Sequence, residues 1–252
     1  MDPTSDTTEE TAMNTPTGTV TDPTTETTTG APADTPAETT SDTTSEGTDT
    51  AQDAAPPTAS AERPLKLAVI VGSNREGRFA PVVTDWFVSR ARQRADFRVD
   101  VLDLAGTDLP TALTYDPSPA VRAELARVSP QLAAADAFVV LTPEYNHSYP
   151  AALKNLIDWH YSEWQAKPVA FVSYGGISGG LRAVEHLRQV FAELHAVTIR
   201  DTVSFPHAGG LFDDDGLKDP TGPDGAAKKM LDQLGWWARA LRTARAAHPY
   251  AG

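Results

Sequence analysis

Three short, largely apolar runs constrain this chain more than any other feature. They are Leu65 to Gly72 (LKLAVIVG), Ala137 to Thr142 (AFVVLT) and Val169 to Tyr174 (VAFVSY). A strand with one wet face alternates polar and apolar residues, whereas a run apolar at every position suits a strand covered on both faces. Between the runs the period changes. Phe79, Val82, Val83, Trp86 and Phe87, continuing to Arg90, fall at i, i+3, i+4 and i+7 and predict a helix from Phe79 to Ala95. Arg98 to Leu104 (RVDVLDL) alternates as a second strand, and a Pro/Asp/Thr-rich loop, Ala105 to Ser118, follows it. Two short helical stretches come next, the second opened by Ser129 as N-cap and Pro130 in its first turn. Further helices are expected from Pro150 to about Tyr161 and from Leu181 to His195. A weaker fifth strand, Ala196 to Val203, leads into a Gly/Asp-rich loop, Phe205 to Gly225, and a last helix to about Ala246.

Strands alternating with helices argue for an α/β fold with an open parallel sheet covered on both faces. Five strands suit a flavodoxin-like three-layer sandwich of strand order 2-1-3-4-5, because right-handed crossovers leave few alternatives. In such sheets ligands bind beyond the carboxyl ends of the strands, at the switch point beside strands one and three. The loops after strands one, three and four therefore carry the functional information.

Charge divides the chain in two. Residues 1–62 hold 13 acidic and no basic side chains, which accounts for the whole net charge of −13. Residues 1–60 also hold 21 threonines and no Phe, Trp, Tyr, Leu or Ile. Such a segment buries too little apolar surface to offset its ordering entropy, so 1–62 is expected to be a disordered acidic tail. It has neither the basic start nor the apolar stretch of a signal peptide, and reads as a solvating extension or as upstream sequence included by a misplaced start. Residues 63–252, electrically neutral, form the expected folded domain. Without a basic excess, nucleic acid is not an expected partner. No run approaches a membrane span, so neither a membrane nor export is expected and the location is read as cytoplasmic. The chain has no cysteine, which excludes disulfides, thiolate metal sites and cysteine nucleophiles.

The first informative loop, Gly72-Ser73-Asn74-Arg75-Glu76-Gly77-Arg78, leads from a buried strand into a helix. Backbone amides at a helix N-terminus, a hydroxyl and guanidinium groups make a phosphate cradle. The loop fits neither the G-x-G-x-x-G dinucleotide fingerprint nor the G-K-[ST] of a Walker loop, and it could equally be a polar turn with solvated arginines. The second runs from Thr142 to Pro150, where Tyr145 and Tyr149 offer flat faces beside amide and hydroxyl groups, suited to a planar heterocycle. Ser148 as a helix N-cap explains part of that loop but leaves Glu144-Tyr145-Asn146 unexplained. The third, Ser173 to Gly180, has four glycines in six positions, which admit a large ligand or simply allow tight strand-to-helix packing.

These residues resemble the NADPH-dependent FMN reductase family, flavodoxin-like NAD(P)H reductases of flavins, quinones and azo compounds. The likeness lies in Gly72-Ser73-x-Arg75, in Pro143-Glu144-Tyr145-Asn146, in Leu153-Lys154-Asn155-x-x-Asp158-Trp159, and in the pairs Gly175-Gly176 and Gly179-Gly180, and it covers about residues 65–205. The resemblance implies that Ser73 and Arg75, with backbone amides up to Phe79, hold the phosphate of FMN. It implies that Pro143, Glu144, Tyr145 and Asn146 line the flavin ring and ribityl chain, and that Tyr174, Gly175 and Gly176 border the isoalloxazine. Arg78 and Ala80 stand where many members carry Ser and Asn, so Arg78 is expected either as a second phosphate contact or as a contact to the 2′-phosphate of NADPH. The implied activity passes a hydride from NADPH, or NADH, to FMN and on to a small flavin, quinone or azo acceptor by ping-pong kinetics. No side chain is needed as acid or base, and no catalytic residue is assigned. Family members pair as homodimers or homotetramers, for which Trp159, Tyr161 and Trp164 are either interface or core.

Other chemistries leave weaker traces. Gly176-Ile177-Ser178-Gly179-Gly180 satisfies G-x-S-x-G, which would make Ser178 a hydrolase nucleophile served by one of Asp213, Asp214 or Asp215 and by His248. The expected strand ends at Tyr174, too early for that elbow. A flavodoxin-type electron carrier would use a hydroxyl-rich phosphate loop, where this one is built on arginine. The six histidines form no metal-ligand pair, so His160, His186 and His195 read as satisfied surface or core residues and no metal is expected.

Overall fold

Alternate side chains of the central strands point to opposite faces, and both faces find apolar partners. The computed structural model describes residues 63–251; the expected acidic tail, 1–62, lies outside them. In chain order the elements are β1 (Leu65–Val71), α1 (Ala80–Arg92), β2 (Phe97–Asp103), α2 (Pro119–Ala134), β3 (Ala137–Pro143), α3 (Ala151–Asp158), β4 (Pro168–Tyr174), α4 (Leu181–Glu193), β5 (Val197–Phe205), the short strands β6 (Phe212–Asp213) and β7 (Gly216–Leu217), and α5 (Thr221–Ala247). The five long strands pair in parallel in the order β2-β1-β3-β4-β5, as expected.

Leu67, Val69 and Val71 of β1 join Val139 and Leu141 of β3 and Val172 of β4 in one core, closed by Val83, Trp86 and Phe87 of α1 and Met230, Leu231 and Leu234 of α5. The intervening residues Ala68, Ile70, Phe138, Val140 and Phe171 face a second core, closed by Val128 and Leu132 of α2, Leu153, Leu156 and Ile157 of α3, and Leu187 and Phe191 of α4. Every residue of β3 and β4 is buried, which explains their largely apolar sequence. The fold is therefore the flavodoxin-like three-layer sandwich. Trp164, fully buried, fills the second core against Phe138 and Phe191, with ring centroids 4.8 and 5.4 Å away. It belongs to the core; of the three aromatic residues weighed for an interface, Tyr161 is the exposed one.

Several local expectations are corrected. The two helical stretches before β3 are one helix, α2, with Pro130 inside it. The cap is Ser118, whose hydroxyl accepts from the Val121 amide, with Pro119 in the first turn. Pro130 costs one helical hydrogen bond, and the burial of Val128 and Leu132 on either side offsets it. Ser129 instead shares a hydrogen bond with His160 Nε2 at 2.9 Å, while His160 Nδ1 donates to the Leu156 carbonyl. The expected loop up to Gly225 contains the β6–β7 hairpin and the first turn of α5. Pro223 is tolerated there because first-turn amides have no helical partner to lose, and Asp224 of the same turn accepts from Trp86 and Arg90 of α1. The open edge of β5 is blunted by Arg188, which donates to the carbonyls of Ile199 and Arg200, and by Gln233, which accepts from the Asp201 amide.

At the amino ends of the strands the chain buries charge. Asp136 takes both Arg63 guanidinium nitrogens and the Lys66 amide. Lys167, only 6% exposed, donates to the carbonyls of Leu132 and Ala133 at the C-terminus of α2, where the helix dipole favours a cation. Burial, aided by Arg245, pushes its ammonium down from 10.5 to about 8. The unfolded chain then holds this proton more tightly than the folded one between those values, so the native state gains stability as pH rises through the interval. Lys167→Met abolishes that gain. The difference in unfolding free energy between wild type and variant should move towards wild type by ~2–3 kcal/mol from pH 8 to pH 10.5. A pH-independent difference, measured by urea unfolding, would contradict this account.

Candidate functional site

The carboxyl ends of β1, β3 and β4 are level with one another, and the three loops that leave them meet. Gly72 donates its amide to the Leu141 carbonyl at 2.8 Å, and Glu144 donates its amide to the Tyr174 carbonyl at 3.2 Å. A Cβ at Gly72 would lie 3.2 Å from that Leu141 oxygen and 3.3 Å from Leu153, so glycine lets β1 and α3 close up here.

The first loop separates its two arginines. Arg78 is half-buried and grips both oxygens of Asp103, at the end of β2, at 2.5 Å each, while also donating to the Ser73 carbonyl at 2.6 Å. Burial would raise the Asp103 carboxyl, but Arg78 and the Ala105 amide outweigh it and hold it below its usual range. Arg78 thus ties the loop to the end of β2. Arg75 is exposed and makes no hydrogen bond or ion pair with any described residue. The backbone amides of Ser73, Asn74 and Arg75 likewise donate to no described residue. The adjoining helix α1 starts at Phe79 without a side-chain cap or an acidic residue in its first turn. Free amides, a free guanidinium and an uncompensated helix N-terminus together form an anion cradle.

The second loop is a tight reversal. Tyr145 and Ser148 exchange backbone hydrogen bonds at 2.8 and 3.0 Å, and the residues between them, Asn146 and His147, have φ of +48° and +71°. Two left-handed central residues define a type I′ turn, a conformation that asparagine accepts and histidine adopts at a cost. The turn presents the Tyr145 hydroxyl to Ser73 Oγ at 2.7 Å, which ties the second loop to the first. Ser148 caps no helix; its hydroxyl lies 3.0 Å from His186 Nδ1 of α4, and Pro150 precedes α3 without a side-chain cap. Tyr149 packs against the second core, and Tyr145 also lines a cavity of about 340 Å³ with Asn74, Leu104, Leu109, Pro150 and Asn155.

The third loop divides its glycines by task. A Cβ at Gly179 (φ +61°) would meet Ser204 Oγ at 2.4 Å, and one at Gly180 (φ +88°) would meet Ser173 at 2.7 Å, so packing demands both glycines. Gly176 has nothing within 4 Å of such an atom, and Gly175 has only ordinary or slightly tight neighbours. Gly176 thus borders open space, while the second pair is fixed by the fold. Tyr174 leads into this loop almost fully buried, with Phe79 against its ring and its hydroxyl within hydrogen-bonding geometry of no described residue. Burial pushes its phenol well above the usual range. Ser178 donates to Glu144 Oε2 at 2.6 Å, four residues past the end of β4, so it stands on no nucleophile elbow. Asp213 receives the Asp215 amide in the β6–β7 turn, and His248 ends α5.

Ser73, Arg75, Arg78, Phe79, Tyr145 and Tyr174 are thus gathered round one end of the sheet, with Pro143, Glu144, Asn146, Gly175 and Gly176 in the adjoining loops. Sequence reasoning missed Asp103, Ser178, Arg182 and His186 as partners of this group. Asp103 ends an alternating strand in which any polar position reads as solvent-facing. A surface depression of about 750 Å³, lined by Arg188, Arg200, Asp201 and Lys229 among others, borders none of the three loops.

The model of the family described as NADPH-dependent FMN reductase matches residues 65–210. An NAD(P)H-dependent FMN reductase of Schizosaccharomyces pombe is 36% identical over 122 residues, which is 46% of this chain and 60% of that protein. A 2-hydroxy-1,4-benzoquinone reductase of a Burkholderia species is 38% identical over 140 residues, covering 53% of this chain and 73% of the relative. Among solved structures, FerB, a flavoenzyme NAD(P)H:(acceptor) oxidoreductase from Paracoccus denitrificans, superposes with a TM-score of 0.56 at 22% identity, over 70% of this chain and 98% of its own. At that identity the likeness speaks for the fold.

The two arginines of the first loop should separate on substitution. Arg78→Gln leaves Asp103 partly buried and unpaired and is expected to lower the unfolding free energy by about 1 kcal/mol. Arg75→Gln should leave it within ~0.5 kcal/mol of wild type. Urea unfolding of both variants checks this, and equal losses would refute the separation.

Proposed function

Because the chain belongs to the NADPH-dependent FMN reductase family, we propose that it is an FMN-dependent NAD(P)H oxidoreductase that passes electrons from NADPH or NADH to a small flavin, quinone or azo acceptor. The observation that carries this reading is the anion cradle of the first loop, an unpartnered Arg75 and three free amides at the acid-free N-terminus of α1. The buried hydroxyl of Tyr174, unpartnered among the described residues, and the open space at Gly176 also suit FMN.

In this reading Arg75, the Ser73 hydroxyl and the amides of residues 73–75 hold the phosphate. Arg78 keeps the loop in shape through Asp103, which leaves Arg75 as the phosphate's cation. Pro143, Tyr145 and Asn146 form one wall of the ring site, and Tyr174, Gly175 and Gly176 form the other. FMN, when bound, would supply the hydride chemistry between the nicotinamide and the second substrate. The open side at Gly176 gives both substrates one slot, from which ping-pong kinetics follow. Residues 63–252 form the catalytic domain, and the acidic segment 1–62 stands outside it. Leu113 and Tyr115 of the loop before α2 line one surface depression with Trp159 and offer an exposed apolar surface for a homodimer or homotetramer. Among the described residues no helix is long and apolar enough to cross a membrane, and a cytoplasmic location is part of the proposal.

An absorbance spectrum from 300 to 550 nm, taken with stoichiometric FMN and again after adding NADPH without oxygen, tests the proposal. Perturbed flavin bands that bleach on NADPH are expected; no uptake of FMN would sink it. Arg75→Gln should raise the FMN dissociation constant about 10–100-fold, as loss of a charge-assisted contact implies, while riboflavin, which lacks the phosphate, should bind both proteins alike.

A further inference from the structure

The sheet sets where the second and third loops begin, but it does not set how far apart their tips stand. One side chain spans them. Glu144, 9% exposed, follows the last residue of β3, and its amide donates to the final carbonyl of β4. Its Oε2 accepts from Ser178 Oγ at 2.6 Å and from the Arg182 amide at 3.2 Å, and its Oε1 accepts from the Arg182 guanidinium at 3.1 Å. The carboxylate therefore joins the loop after β3 to the apex of the glycine turn and to the first turn of α4.

The reason lies in Gly180. A helix usually meets its first free amides with the side chain of its own N-cap residue, commonly Ser, Thr, Asp or Asn. Gly180 is the N-cap of α4, in the left-handed region, and any Cβ there would strike Ser173 and the Tyr174 amide. Packing forbids a side-chain cap, and α4 has no acidic residue in its first turn. Glu144 supplies the missing acceptor from a different loop, and places a negative charge where the helix dipole favours one.

We infer that Glu144 is a positioning residue, which caps α4 from the neighbouring loop and thereby fixes the separation between Pro143–Tyr145 and Gly175–Gly176. The inference rests on the flavin reading for what the separation serves, namely the width of the slot for a planar ring. It departs from the role that the family resemblance implied, because both oxygens of Glu144 are engaged by protein donors rather than left for the ring.

Amide hydrogen exchange on the protein without flavin tests the clamp, and flavin affinity tests its purpose. Glu144→Gln keeps the size of the side chain but sets an amide against donors. Glu144→Asp keeps the charge and loses the reach. Both are expected to speed exchange of the amides from Ser178 to Ala183 at least about tenfold relative to those of β1 and β3, and to raise the dissociation constants of FMN and riboflavin together by a similar factor. Ser178→Ala removes one arm only and should move the same amides in the same direction, which keeps the test available if a Glu144 variant does not fold. Unchanged exchange, exchange accelerated equally across the sheet, or wild-type exchange in Glu144→Asp would each overturn the inference. So would faster exchange with unchanged flavin affinity. Failure of the wild-type protein to bind either flavin would instead sink the flavin reading, with the exchange result standing apart from it.

Discussion

Everything in this molecule depends on a sheet that is dry on both faces. Because β3 and β4 bury all their residues, neither face of the sheet is open to a ligand along them. What the sheet offers instead is a rigid row of strand ends, from which loops leave at fixed positions. The energetics of the fold and the location of the site are thus one fact seen twice. Burial of alternate side chains against α1 and α5 on one side, and against α2, α3 and α4 on the other, makes the platform stiff enough for short loops to meet with hydrogen bonds below 3 Å, such as Ser73 to Tyr145.

The layout of the fold was legible because its signals are local. In a strand buried on both faces nearly every position is apolar, so LKLAVIV, AFVVLTP and PVAFVSY announce themselves without any knowledge of their neighbours. The misreadings share a different cause. Ser129-Pro130 and Ser118-Pro119 are the same helix-opening signature, and only the burial of Val128 and Leu132 decides which of them opens α2. Ser148 looked like a cap because capping is the commonest task of a serine before a helix, yet its partner, His186, is 38 residues away in the chain. A dipeptide signature carries no information about such distant partners.

The site was legible in its residue types and illegible in their division of labour. Arg75 and Arg78 are chemically identical, and what separates them is Asp103, a residue brought near by strand pairing rather than by sequence. The four glycines of the third loop are equally indistinguishable on paper. Two are demanded by Ser173, Ser204 and the backbone around them, and two are not. Glu144 reads in sequence as part of a binding motif; in the fold it completes a helix that begins 37 residues later.

This unequal freedom within one glycine loop has an evolutionary consequence. Gly179 and Gly180 are locked by contacts that any side chain would break, so packing sets the backbone path of this part of the loop. At Gly176 and Ile177, by contrast, one position meets no neighbour and the other is 80% exposed. Selection can therefore alter the rim of the slot one side chain at a time, at almost no expense to the fold. Under the proposed function, a scaffold with this turn frozen and its rim unconstrained can diversify its choice of electron acceptor without altering the first loop.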